Sequence, residues 1–264
     1  MNYTGIIIAV AVIGGVGLLI SVFLSFFASK FAVEVDEKEQ AILEVLPGNN
    51  CGGCGYPGCS GLAAAISKGE APINGCPVGG KPVADEVAKI MGVEAGDFVK
   101  NVAFVKCNGT CEQSPALYEY TGPRDCRAAA MAPGKGGKSC SYGCLGLGSC
   151  IKVCDNDAIS IVGGIAVIDP EKCGGCGKCA KICPRGLIEF VPETSNVRVA
   201  CSSKDRGPLV MKACKTGCIG CGICAKTCEY DAITVEGNLA HIDYSKCTKC
   251  GACAAKCPKK IINV

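Results

Sequence analysis

The chain has 264 residues, 27 Lys and Arg against 24 Asp and Glu for a formal charge of +3, no Trp, seven Phe, seven Tyr and 25 cysteines. So little aromatic volume excludes several conventional hydrophobic cores, and the near balance of charge gives no support to a nucleic-acid role. A chain this long, with an odd cysteine count and a recurring short spacing, is also unlike the disulfide scaffolds of small secreted domains.

Residues 5–27 carry no charged side chain. As a helix they reach roughly 35 Å, enough to cross the hydrocarbon core of a bilayer. No Lys or Arg precedes the run and no small-x-small cleavage site follows, so residues 1–29 are expected to be an uncleaved transmembrane anchor rather than a signal peptide. The first charge is Lys30, beside Glu34. The positive-inside rule then places the bulk of the chain on the cytoplasmic side, where reducing conditions keep thiols available. Ala11, Gly14, Gly15 and Gly17 offer a small-residue face to a neighbouring helix, and a lone lipid-facing anchor accounts for them equally well.

Residues 34–46 read as an amphipathic helix ending before Pro47. Cys51, Cys54 and Cys59 follow at x2 and x4 spacing, with Cys76 before Pro77. These four thiols suffice for one self-contained [4Fe–4S] cluster, and the glycines among them let backbone wrap closely round it. A short helix is expected over 61–67, in a small domain spanning 30–100. A connecting segment, 101–139, holds Cys107, Cys111 and Cys126. Its residues 132–139 satisfy a relaxed phosphate-loop pattern but lack the strand before and helix after that such a loop requires.

Beyond Cys140 the chain repeats itself. Cys140, Cys144, Cys150, Cys154, Cys173, Cys176, Cys179 and Cys183 recur 74 residues later as Cys214, Cys218, Cys224, Cys228, Cys247, Cys250, Cys253 and Cys257. Two copies of one unit, 140–200 and 201–264, are the simplest account, each with two short strands around a Gly turn. Cys173-x2-Cys176-x2-Cys179-x3-Cys183-Pro and Cys247-x2-Cys250-x2-Cys253-x3-Cys257-Pro match the bacterial ferredoxin signature. There three close thiolates hold one cubane and the fourth reaches to a second. Zinc needs only two Cys-x2-Cys pairs and explains neither the third cysteine nor the fourth before Pro.

By that crossing rule Cys218, Cys221, Cys224 and Cys257 hold one cluster, and Cys247, Cys250, Cys253 and Cys228 another. In the first copy Cys173, Cys176 and Cys179 join Cys154. Cys144, Cys150 and Cys183 lack a partner, because Leu147 stands where the second copy has Cys221. Cys140 is the nearest candidate to complete them. With Cys51, Cys54, Cys59 and Cys76, five clusters are expected. A sixth is expected from among Cys107, Cys111, Cys126, Cys201 and Cys214, two of which follow similar strand-like segments, 102–106 and 197–200, expected to pair side by side. The single histidine, His241, excludes a Rieske centre, and no dinucleotide motif or nucleophile–base set is present. The fold class is α+β: a transmembrane helix, a small cluster domain and two tandem ferredoxin-like domains.

The uncharged N-terminal run, then Cys51-Gly-Gly-Cys54-Gly-Tyr-Pro-Gly-Cys59 with Cys76, then ferredoxin-type repeats, resembles the B subunit of the Rnf ion-translocating ferredoxin:NAD oxidoreductase complex, in its longer, cluster-rich form. The resemblance runs along essentially the whole chain. It implies a cytoplasm-facing electron carrier at the cell membrane. Its donor would be soluble reduced ferredoxin, and its partners the membrane-embedded and the flavin- and NAD-binding subunits of the complex. The ferredoxin repeats alone also suit a polyferredoxin subunit of a membrane hydrogenase or formate dehydrogenase.

Overall fold

The computed structural model describes residues 3–30, 36–96 and 98–264. Glu34 and the start of the amphipathic stretch lie outside the described residues. Helix α1 (Tyr3–Lys30) carries exposed Ile13 and Leu19, and a Cβ added at Gly14, Gly15 or Gly17 would meet nothing within 4 Å. The side chains of residues 6, 9, 10 and 28–30 lie outside the described set. Among the described residues no helix is long and apolar enough to cross a membrane.

Three helices build the small domain: α2 (Glu37–Val45), α3 (Gly58–Ser67) and α4 (Gly80–Met91). Asp36 starts α2 by accepting from the Lys38 N–H at 3.0 Å, and Glu37 and Glu39 in the first turn oppose the positive end of the dipole. Ile42, Leu62, Ile66 and Val87 are fully buried where the three helices meet. Helix α4 is not among the expected elements. Its signals are Pro82 just inside the start and Gly92, at φ 70°, just past the end.

The rest is built from two-stranded antiparallel ribbons and short helices. Strands β2 (Ile159–Val162) and β3 (Ile165–Ile168) pair in the first copy, β6 (Ile233–Glu236) and β7 (Leu239–Ile242) in the second. Asp157 and Asp231, 74 residues apart, both take left-handed φ, at 48° and 49°, so the repeat extends to backbone conformation.

Strand β1 (Asn101–Val105) pairs with β4 (Ile188–Pro192), and β5 (Arg198–Val199) with β8 (Ile262–Asn263). The expectation that 102–106 and 197–200 pair with each other is therefore corrected. Each strand instead completes the sheet of its own copy: Lys106 N–H donates to Leu187 O at 2.8 Å, and Ala200 N–H to Ile261 O at 2.9 Å. The loops just past the strands hydrogen-bond instead, through Asn108 N–H to Ala200 O at 3.0 Å and Ser202 Oγ to Lys106 O at 2.9 Å. The repeating unit thus begins at β1 and β5, before Cys107 and Cys201.

The two ferredoxin-like cores consist of short aliphatic residues interleaved with thiols. Val102, Leu187 and Val191 surround Cys144 and Cys173 in one; Val197, Leu239 and Ile261 surround Cys218 and Cys224 in the other. Phe104 packs against both cores, with the Arg198 guanidinium 5.4 Å from its ring centroid. Tyr244 of the second copy packs on the first core, which ties the copies together.

Candidate iron–sulfur sites

Five cavities each gather four thiols, and three more meet in the small domain. We number the sites I to VI along the molecule. Site I belongs to the small domain, where burial raises the Cys76 thiol pKa and neighbouring Cys59 and Cys54 add to it. Cys51 opens the same loop, which Asn50 fixes by accepting from the Cys59 N–H at 2.8 Å. Site II is a cavity lined by Cys154, Cys173, Cys176 and Cys179. Site III is lined by Cys126, Cys144, Cys150 and Cys183, and site IV by Cys107, Cys140, Cys201 and Cys214. Sites V and VI, in the second copy, are lined by Cys218, Cys221, Cys224 and Cys257, and by Cys228, Cys247, Cys250 and Cys253. The five hollows span about 310 to 410 Å³ each, the open solvent at their mouths included. Cys111 stands outside every group and is exposed.

This grouping differs from the sequence expectation at one residue. Cys140 does not stand with Cys144, Cys150 and Cys183; Cys126 does. The short helix α5 (Cys126–Met131) delivers it. Asp125 caps α5, accepting from the Arg127 and Ala128 N–H groups at 2.9 Å each, while the Cys126 N–H donates to Ser149 Oγ at 2.7 Å beside Cys150. Cys140 is turned the other way, its carbonyl accepting from Arg185 at 2.8 Å. A countable signal existed. Cys107 and Cys140 lie 33 positions apart, their counterparts Cys201 and Cys214 only 13, and the extra segment sits in the copy that lost a cysteine at Leu147.

Site IV is built symmetrically between the copies. Cys140 and Cys214 are repeat equivalents, and Cys107 and Cys201 follow equivalent strands. The Cys144 N–H donates to Cys107 Sγ at 3.3 Å, and its equivalent, the Cys218 N–H, to Cys201 Sγ at 3.3 Å.

The groups suit iron–sulfur clusters. Backbone N–H groups aim at sulfur, as ligand thiolates require: Ala103 to Cys173 and Ala166 to Cys144 at 3.4 Å, Gly79 to Cys76 at 3.4 Å. Burial, the largest cause in each case, pushes Cys150, Cys201 and Cys224 up to about 11 and Cys179 to about 12. Crowded, desolvated thiols of this kind become thiolates only against a cationic metal core. A tetrahedral zinc would hold its sulfurs about 3.8 Å apart. Among the described residues no three His, Cys, Asp or Glu side chains form a group that would hold a single ion. Gly175 shows how closely the backbone is drawn in: at φ 69°, a Cβ there would lie 2.6 Å from Asn101 O.

The neighbouring sites touch in order. A Cβ on Gly53 in site I would fall 2.8 Å from Cys176 O of site II. Cys150 of site III raises the Cys179 thiol of site II. The two N–H···S bonds described above join III to IV and IV to V, and Cys224 of site V shares one core with Cys253 of site VI. The phosphate-loop-like segment at 132–139 follows α5 rather than a strand.

A small four-cysteine domain beside two ferredoxin-like domains defines a multi-cluster iron–sulfur protein. Family models agree. An Fe-S cluster model matches residues 46–78, a 4Fe-4S dicluster domain residues 217–261, and a 4Fe-4S binding domain residues 165–188. The B subunit of the Na(+)-translocating ferredoxin:NAD(+) oxidoreductase complex of Acetobacterium woodii is 49% identical over 98% of this chain and 78% of its own length. The B subunit of the ion-translocating oxidoreductase complex of Methanosarcina acetivorans is 40% identical, over 97% of each chain. That of the proton-translocating ferredoxin:NAD(+) oxidoreductase complex of Clostridium ljungdahlii is 44% identical over 98% of this chain and 91% of its own. The chain belongs to this family, the B subunits of the Rnf ion-translocating oxidoreductase complexes.

Proposed function

We propose that this chain is the electron-transfer subunit of an ion-translocating ferredoxin:NAD oxidoreductase, holding six [4Fe–4S] clusters in single file. The observation that carries this is five cavities each lined by four cysteines, with the Cys54, Cys59 and Cys76 group of the small domain set against the first of them. Bound clusters of this type supply reversible one-electron storage and transfer. The chain's own residues space the sites, bury them against water and orient N–H dipoles onto the ligands. Kinship over nearly the full length sets aside the hydrogenase and formate dehydrogenase reading.

Electrons enter at site VI and leave from site I in this reading. Residues 201–264 carry ten Lys and Arg against five Asp and Glu, whereas 140–200 carries six of each. The exposed Cys221 and Cys250 lie in that basic half, which suits docking of reduced ferredoxin as an acidic carrier. At the other end site I follows α1. The membrane span is read from the sequence alone: the uncharged run 5–27 crosses once and hands site I to the membrane-embedded subunits, with the body of the chain cytoplasmic. Cys54→Ala in the assembled complex tests the direction. Ferredoxin should still reduce the other clusters while ferredoxin-driven NAD reduction is lost; intact NAD reduction would remove site I from the path.

A further inference from the structure

The two copies differ in what holds their ligand loops. In the first copy Arg185 is half-buried and donates three hydrogen bonds to backbone carbonyls, to Cys140 O at 2.8 Å, Gly143 O at 3.0 Å and Lys135 O at 2.6 Å. Lys138 donates to Cys144 O at 2.8 Å. The segment they grip, 140–144, supplies one thiol to site IV and one to site III. Arg185 lines the cavity of site III, and Lys138 that of site IV. Among the described residues neither cation has a carboxylate within ion-pair distance, whereas Lys106, also at site IV, is neutralised by Glu189 at 2.8 Å.

The second copy has no such grip. Lys259 takes the place of Arg185 and Lys212 that of Lys138 by the 74-residue repeat. Lys212 stands exposed on the short helix Gly207–Ala213, while Lys259 lines site V without the three-point fork. A lysine at that position is a compact charge and cannot reproduce a planar, multi-donor contact.

We propose that Arg185 and Lys138 form a cationic clamp that raises the reduction potentials of the clusters at sites III and IV above those of the second-copy sites. This rests on the six-site reading given above. Reduction adds negative charge, so two uncompensated cations against the ligand loops favour the reduced state. They also fix the loop shared by both sites, so both potentials move together. A file of carriers entered from the second copy then runs downhill at its centre, where the chain crosses from one copy to the other.

The test is a potentiometric titration of the anaerobically purified complex, monitored by low-temperature EPR, alongside iron and sulfide content. Arg185→Gln with full metal content should show two clusters whose reduced-to-oxidised ratio at fixed potential falls about tenfold, a shift of about 59 mV for one electron. Arg185→Lys, which keeps the charge but not the three-point fork, should recover only part of the shift, and Lys259→Gln should leave those two clusters unmoved. If Arg185→Gln loses iron, Lys138→Gln, which removes a single bond, carries the test, with a smaller shift in the same direction expected. Unshifted potentials in a metal-replete Arg185→Gln or, failing that, Lys138→Gln protein overturn the clamp. Should the parent protein lack the iron of site IV, the six-site reading fails separately, and the clamp is then read on site III alone.

Discussion

A single lost ligand shows how the chain compensates at the level of residues. Leu147 stands where the second copy has Cys221, and the cavity left short of a thiol is lined instead by Cys126, brought by a helix that Asp125 caps. The crossing rule and the 74-residue offset made most groupings legible, because thiol spacing within a short loop is fixed by backbone reach. For Cys126 and Cys140 the sequence held only the hint of the extra segment, since a choice between two thiols far apart in sequence depends on which way the loop turns. The Asp125 cap and the Arg185 hydrogen bonds decide that. Replacing Cys126 with Ala should convert site III to a three-iron form with its own EPR signature, or cost about four irons per chain. Cys111→Ala, at the one thiol outside every group, should cost none. Full iron content in Cys126→Ala would contradict the grouping.

Among elements, the contact between the small domain and the first ferredoxin-like copy matters most for the path. Gly53 leaves no room for a side chain, its added Cβ falling 2.8 Å from Cys176 O. Gly53→Ala should therefore push site I away from site II at a cost of about 1–3 kcal/mol in local packing. Ferredoxin-driven reduction of the Cys51–Cys76 cluster should slow markedly while iron content stays constant, as measured by freeze-quench EPR. Unchanged transfer would mean that the two sites communicate elsewhere. The strand pairs inside each copy were readable from alternating Ile and Val around Gly turns. The partners of β1 and β5 were not, because strands of two to five residues carry too little pattern to specify who pairs with whom. That choice follows from Leu187 and Ile261, whose carbonyls accept from the residues following β1 and β5.

For the whole molecule, scarcity of large side chains and abundance of thiols are two aspects of one design. The cores around Val102 and Val197 are small, and each includes cysteines as part of its packing. Metal binding then supplies folding free energy that the aliphatic residues alone do not. The repeat was legible as a duplication, and its consequence was not. Two copies facing each other through Phe104, Arg198 and Tyr244 create site IV between them, a group with two thiols from each copy and no short motif of its own. None of the three family matches reaches Cys107, Cys140, Cys201 or Cys214. Site IV is also what makes the file continuous, since without it sites III and V have no intermediary. Iron and acid-labile sulfide per chain, measured in the anaerobically purified protein and in Cys214→Ala, test this most directly. About 24 of each are expected, falling by about one to four irons in the variant. A parent value near 20, unaltered by the substitution, would contradict the account.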